Sequence, residues 1–279
     1  MADGGNVALG YYDRRRTTIW ACRADPRFSW CAYVPESFEP ATAHHYHLLV
    51  AVHGTGRLMT LYRDVFAAFA DQHRFIVLAP LFPGGITSTD DLSSYKLLRT
   101  GALHYDAILL SMVDEIAAKY RIDVGRFALF GFSGGGHFAH RFFYLHPERL
   151  SAVSIGAPGV VTLLDRDHDF WVGVRNFEAV FGKKLDIDTM RTVPVHMVVG
   201  DNDTETWEIT LRPGGGWWMD GADLAAGDRR NRLRLLKASF EAAGIAVRHD
   251  VVPGAAHWVE PMIPAVTDFL ADVFVEAGR

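Results

Sequence analysis

Short apolar runs of strand length alternate along this chain with longer segments whose apolar residues recur every three or four positions. Residues 17–23 and 28–34 are rich in β-formers and are separated by Ala24-Asp25-Pro26-Arg27, a turn-like break, so they are expected to form an antiparallel hairpin at a sheet edge. The run 47–52 is continuously apolar after its first residue, which predicts a strand covered on both faces. Helical spacing over 59–71 is followed by a second buried strand, 75–79, closed by Pro80. After a long polar, glycine-bearing stretch (81–101), residues 108, 109, 112, 113 and 116 share one face of a helix. Strands at 126–130, 151–155, 193–200 and 247–252 then alternate with helices at 136–143, 233–243 and 263–277. Repeated β-α-β units with right-handed crossovers predict an α/β fold, a mostly parallel twisted sheet with helices on both faces. In such sheets ligands bind beyond the carboxyl ends of the strands. Gly54, Ser133 and Asp203 all fall just past predicted strand ends.

Two stretches, about 160–192 and 204–228, break the alternation and hold Phe170, Trp171, Phe177, Phe181, Trp207, Trp217 and Trp218. They read as insertions in a single domain, 1–279, whose aromatic side chains could form a cap over an apolar pocket. A length of 279 residues with 49% hydrophobic content supports one large core, and neither a repeat nor a low-complexity linker divides it. The net charge of −5 with scattered Lys and Arg leaves no electrostatic footprint for nucleic acid or an anionic membrane, so neither partner is expected. Residues 1–6 lack a basic segment followed by an apolar run, and no stretch reaches the ~18 apolar residues of a spanning helix. The expectation is a cytoplasmic protein whose two cysteines, Cys22 and Cys31, are free and buried rather than paired.

The chemistry centres on Gly131-Phe132-Ser133-Gly134-Gly135, a G-x-S-x-G string set between a predicted strand and a predicted helix. That context is the one a nucleophile elbow needs: a sharp turn presents the serine, and small neighbours let strand and helix approach. A serine hydroxyl is a weak nucleophile near neutral pH, so it requires a base and a group that orients the base. Of 13 histidines, His257 lies between the last predicted strand and the last helix, where its imidazole would face Ser133. An acid is offered by Gly200-Asp201-Asn202-Asp203, past the penultimate strand, with two carboxylates open for the role.

With these parts in this order, from about residue 17 onward, the chain resembles the α/β-hydrolase superfamily. The turn Val52-His53-Gly54-Thr55-Gly56 and the elbow are nearest in look to bacterial esterases of the polyhydroxybutyrate-depolymerase and feruloyl-esterase type. The resemblance implies that the acid stands three residues after the glycine ending its strand, which is Asp203, leaving Asp201 as the alternative. It also implies an oxyanion hole made by the backbone amides of Gly134 and Thr55. His53 is read as a supporting hydrogen-bonding residue. Phe132 and Trp258, adjacent to the serine and histidine, join Trp171, Trp207 and Trp217 as candidate pocket residues.

Other signals are weaker. His44-His45-Tyr46-His47 leads directly into a strand and lacks a carboxylate, and Asp165-Arg166-Asp167-His168-Asp169 reads as an exposed mixed-charge loop, so no metal is expected. Neither a dinucleotide fingerprint nor a phosphate loop is present, and no cofactor is implied. The expected function is a serine esterase acting on a small molecule with an apolar or aromatic portion. The same fold and triad could instead serve an amide, lactone, thioester or activated C–C bond, or the pocket could bind a ligand without turning it over.

Overall fold

A computed structural model describes residues 9–276. The N-terminal arm supplies two strands of two residues each, β1 (Arg15–Arg16) and β2 (Trp20–Ala21), both antiparallel to β3 (Ser29–Val34). The expected hairpin is therefore split along its first arm, because β1 and β2 pair with opposite ends of β3: Arg15 stands opposite Val34, and Ala21 opposite Ser29. Next come β4 (His47–Val52), the short helices α1 (Met59–Asp64) and α2 (Ala67–His73), and β5 (Phe75–Leu81). The helix expected over 59–71 is interrupted at Phe66, whose ring is fully buried against Phe130 and whose backbone (φ −98°, ψ 1°) leaves the helical track. Pro80 does not close β5 but lies inside it, opposite Trp30 of β3. Beyond Leu78 the strand has lost its β4 neighbour, and a proline is tolerated where one side of a strand is open.

The polar stretch after β5 folds into a 3-10 turn, Ser94–Leu97, and a small ribbon of β6 (Arg99–Thr100) and β7 (Leu103–His104). The rest of the alternation follows: α3 (Tyr105–Tyr120), β8 (Phe127–Phe132), α4 (Gly134–Leu145) and β9 (Leu150–Gly156). Two one-turn helices, α5 (Phe177–Phe181) and α6 (Ile187–Arg191), occupy the first insertion. The chain closes with β10 (Val195–Gly200), α7 (Arg229–Ala242), β11 (Val247–Val252) and α8 (Ile263–Glu276).

Among the described residues nine strands form the main sheet, in the order β1-β3-β5-β4-β8-β9-β10-β11, with β2 beside β3. From β5 to β11 every pairing is parallel; β3 joins antiparallel. Helices cover both faces, and for that reason β8 and β10 are buried at every residue and read as unbroken apolar runs. Edge strand β11, paired only with β10, is half-exposed along most of its length. Cys22 and Cys31 are free and buried. Among the described residues no helix is long and apolar enough to cross a membrane. The readings made on residues 1–6 and on the end of the last helix at 277 fall outside the described residues.

The two insertions pack on each other. Trp171 of the first meets Trp217 of the second, with ring centroids 5.9 Å apart. Together with Val160, Val172 and Ala222 they make a second apolar cluster, separate from the main core, against which Leu97 and Trp218 also lie.

Candidate active site

Ser133 stands between the last residue of β8 and the first of α4, and its backbone (φ 56°, ψ −116°) lies in a region that L-residues avoid. The surrounding structure over-determines this conformation. A Cβ on Gly131 would run into the Gly135 carbonyl, and one on Gly135 into the Val52 carbonyl, so only glycine lets strand, turn and helix approach this closely. The Ser133 N–H donates to the Gly156 carbonyl at 2.8 Å, tying the turn to the end of β9.

Two loops reach the serine from the neighbouring strand ends. His257 follows β11, and its Nε2 lies 3.0 Å from Ser133 Oγ. Its Nδ1 lies 2.6 Å from Asp203 Oδ2, a carboxylate that follows β10 and is 2% exposed. The other oxygen, Oδ1, accepts from the Arg229 guanidinium at 3.2 Å, so both faces of the buried carboxylate are engaged. Asp201 points elsewhere: its Oδ1 accepts the Gly254 N–H at 2.7 Å and links the two loops without touching His257. A Cβ on Gly200 would strike the Ala255 carbonyl, which shows how tightly these loops are stacked. The Phe132 ring stacks on the imidazole at 4.9 Å and 30°.

Opposite the elbow, the turn after β4 brings Thr55 to Gly134. A Cβ placed on Gly134 would lie 3.0 Å from the Thr55 nitrogen, so the two candidate amides border one small space. Thr55 N–H has no acceptor among the described residues, and Gly134 N–H, at the first position of α4, has none within its helix. His53 is fully buried and fixes this turn. Its Nε2 accepts the Phe82 N–H at 3.0 Å, which leaves the proton on Nδ1 to meet the Gly54 carbonyl at 2.7 Å. Burial pushes its pKa down to about 4, so the ring is neutral near pH 7. Tyr95 donates its hydroxyl to the His53 carbonyl at 3.2 Å, and Arg57 donates to the Thr55 carbonyl.

A cavity of about 390 Å³ opens at Ser133 and Thr55. Its wall comes mainly from the second insertion, residues 208–218, with Val160 and His137 behind and Ser93 and Lys96 below. Of the five aromatic side chains expected in the pocket, only Trp217 lines it. Trp171 is buried behind Trp217 in the insertion cluster, and Phe132 is covered by His257. Trp207 and Trp258 face outward, 77% and 67% exposed, because the loops that carry them direct Asp203 and His257 inward. Sequence reasoning missed Ser93, Lys96, His137, Glu208, Arg212 and Arg229. A signal existed for Arg229 alone, in the Asp228 N-cap that opens α7 and sets the register in which its first residue turns back to Asp203. Among the described residues no group of three or more His, Cys, Asp or Glu side chains is placed to hold a metal ion; His168 pairs with Asp165 at 2.6 Å, and Asp169 with Arg175.

Sheet order, elbow and flanking loops together define the α/β-hydrolase fold. Solved structures bear this out. The chain is similar to LpqC, a poly(3-hydroxybutyrate) depolymerase from Bordetella parapertussis, at 25% identity over 90% of this chain and 84% of that one, with a TM-score of 0.67. It is similar to poly(aspartic acid) hydrolase-1 from Sphingomonas sp. KT-1 at 22% identity, 91% and 96% coverage and a TM-score of 0.69. A ferulic acid esterase follows at 16% identity, 92% and 96% coverage and a TM-score of 0.60. No family model matches the sequence, and no curated protein matches it.

Proposed function

We propose that the protein is a serine hydrolase that cleaves a carboxylic ester by way of an acyl-enzyme. The observation that carries this reading is the hydrogen-bonded relay from Ser133 through His257 to the buried Asp203, with its serine end open to a cavity. In this reading Ser133 Oγ attacks the ester carbonyl while His257 Nε2 takes the hydroxyl proton. Asp203 holds the imidazole in the tautomer protonated at Nδ1 and stabilises the cation that forms. The amides of Thr55 and Gly134 hold the developing oxyanion. His257 then protonates the departing alkoxide, and a water, deprotonated by the same histidine, releases the acid from Ser133.

The substrate is a small or medium ester with an apolar or aromatic portion. Val160, Ile209, Leu211, Trp217 and Trp218 supply the apolar wall that would receive it. Structures of similar fold are named for esterase, depolymerase and hydrolase activities, in line with hydrolysis as the reaction class. The test is turnover of 4-nitrophenyl butyrate. Ser133→Ala is expected to lower kcat by about 10⁴-fold or more and to abolish labelling by a fluorophosphonate. Full turnover by Ser133→Ala, or a wild-type protein that takes no label at Ser133, would remove the assignment.

A further inference from the structure

The cavity wall is more cationic than its chain. Lys96, Arg212 and Arg229 face it against one carboxylate, Glu208, although the whole protein carries a net charge of −5. Arg229 is spoken for by Asp203 and by Glu208, at 3.2 and 2.8 Å. Lys96 is not. It is 9% exposed, its Nζ reaches only the neutral Ser93 Oγ at 3.1 Å, and no carboxylate pairs with it among the described residues. An ammonium has three hydrogens to donate, so two remain unused in a nearly buried position. Beside it, His137 Nε2 accepts the Gly159 and Val160 N–H groups at 2.8 and 3.1 Å, which puts the ring proton on Nδ1. That Nδ1–H is buried without a partner. Arg212, at the exposed rim, makes no ion pair among the described residues.

Unpaired buried donors and an unpaired buried cation both oppose folding, and an apolar side chain of similar length in place of Lys96 would remove the second cost. A ligand that enters the cavity would complete the ammonium. We propose that the ester taken by this site carries a second, ionised acid group, a carboxylate, and that Lys96 is the residue that selects for it. The inference rests on the ester-hydrolase reading and narrows its substrate class. The carboxylate would accept from Lys96 Nζ and Ser93, with Arg212 drawing it in from solvent, while Trp217 and Trp218 cover the apolar stem between the acid and the scissile carbonyl. Burial pushes the Lys96 pKa down to about 8, with Arg57 and Arg141 opposing its charge and Glu208 and Asp91 supporting it, so the ammonium persists at pH 7.

Two matched pairs of esters test this, one with the charge on the acyl side and one on the alcohol side: monomethyl adipate against methyl hexanoate, and 4-acetoxybutanoate against butyl acetate, followed by acid release. In at least one pair the wild type is expected to favour the anion in kcat/KM by about tenfold or more. Lys96→Met should lower that ratio about tenfold, and Lys96→Arg should keep most of it. Because the ratio cancels any pH effect common to both esters of a pair, its fall as pH rises through about 8 is a second signature of Lys96. No preference in either pair, or a preference that survives in a folded Lys96→Met protein, overturns the proposal. The binding arm separates this result from failure of the ester reading. Calorimetric titration of Ser133→Ala with the same two anions should show binding that Lys96→Met weakens. If Ser133→Ala binds them in this way while the wild type hydrolyses no ester, the anion site stands and the esterase reading falls; if it binds neither anion, the anion site falls.

Discussion

Ser133 and Ser154 each begin a serine–histidine–aspartate relay, and only their surroundings differ. Ser154 Oγ lies 2.9 Å from His196 Nδ1, whose Nε2 lies 3.0 Å from Asp250 Oδ2. That second relay runs sideways across β9, β10 and β11, with serine and histidine both fully buried, so no substrate carbonyl can approach it. It satisfies polar groups inside a sheet. The relay at Ser133 has a similar serine–histidine distance, 3.0 Å, and a shorter histidine–aspartate one, 2.6 Å, but it ends at a cavity, and its serine is held by a strained backbone. In the proposed reading it is access and backbone strain, rather than the relay itself, that single out Ser133 as the nucleophile. The two loop carboxylates are separated by the same residue-level logic. Asp203→Asn would present an amide N–H to His257 Nδ1 and favour the wrong tautomer, with an expected loss of about 10³–10⁴-fold in kcat for 4-nitrophenyl butyrate. Asp201→Asn can still accept the Gly254 N–H, so its loss should stay within about tenfold. A larger loss for Asp201→Asn than for Asp203→Asn would reverse the assignment of the acid.

The element that sets the site is the junction of β8 and α4. Its glycines are required by neighbouring backbone rather than by their own dihedral angles, since Gly131 and Gly135 face carbonyls of the helix and of β4. Backbone cannot move aside as a side-chain end can. Gly131→Ala is thus expected to destabilise the fold by about 2 kcal/mol or more, read as a lower urea midpoint at an unchanged slope, and to reduce fluorophosphonate labelling of whatever folds. A variant as stable as the wild type and fully labelled would show that the elbow relaxes without this contact. The insertions act at the same scale. Trp171 and Trp217 lock them together, while Arg229 and Arg232 of α7 fix the start of the cavity wall, at 2.8 Å to the Glu208 carboxylate and 2.9 Å to the Ile209 carbonyl.

Across the whole molecule, the interior carries histidines that stay neutral because they are buried. His53 is pushed down to about 4, His137 and His140 lie well below their ordinary value, and His196 is lowered, with burial the leading cause for each. In the unfolded chain these rings return to about 6.5. Between that value and the folded ones the unfolded state binds more protons, so stability is full above pH 6.5 and is lost as pH falls below it. Each such histidine contributes a slope approaching about 1.4 kcal/mol per pH unit. Carboxylates held below their usual range, such as Asp91, add their loss only below about pH 4 and do not shape this window. The midpoint of thermal unfolding is expected to fall by several degrees, about 5 °C or more, between pH 7.5 and pH 5.0. A flat profile over that interval would mean that these rings are hydrated or charged in the folded protein.

Strand runs, helix spacing and the glycine-flanked serine were legible because they are local: covering a parallel strand on both faces demands consecutive apolar residues, and a tight elbow demands glycine. That made the α/β-hydrolase fold, the elbow and the loops bearing Asp203 and His257 readable from the chain. Interruptions such as Phe66 and the interior position of Pro80 were not, because each depends on which strand or ring lies alongside. The cavity was least legible. Lys96, His137, Glu208 and Arg212 come from a 3-10 turn, a helix face and an insertion without periodicity, and they meet only where those three elements are packed together. Sequence by itself determined where a reaction could be centred. Tertiary packing alone decided which charges surround it, since a nearly buried cation that no carboxylate pairs with is recognisable only when its neighbours are in place.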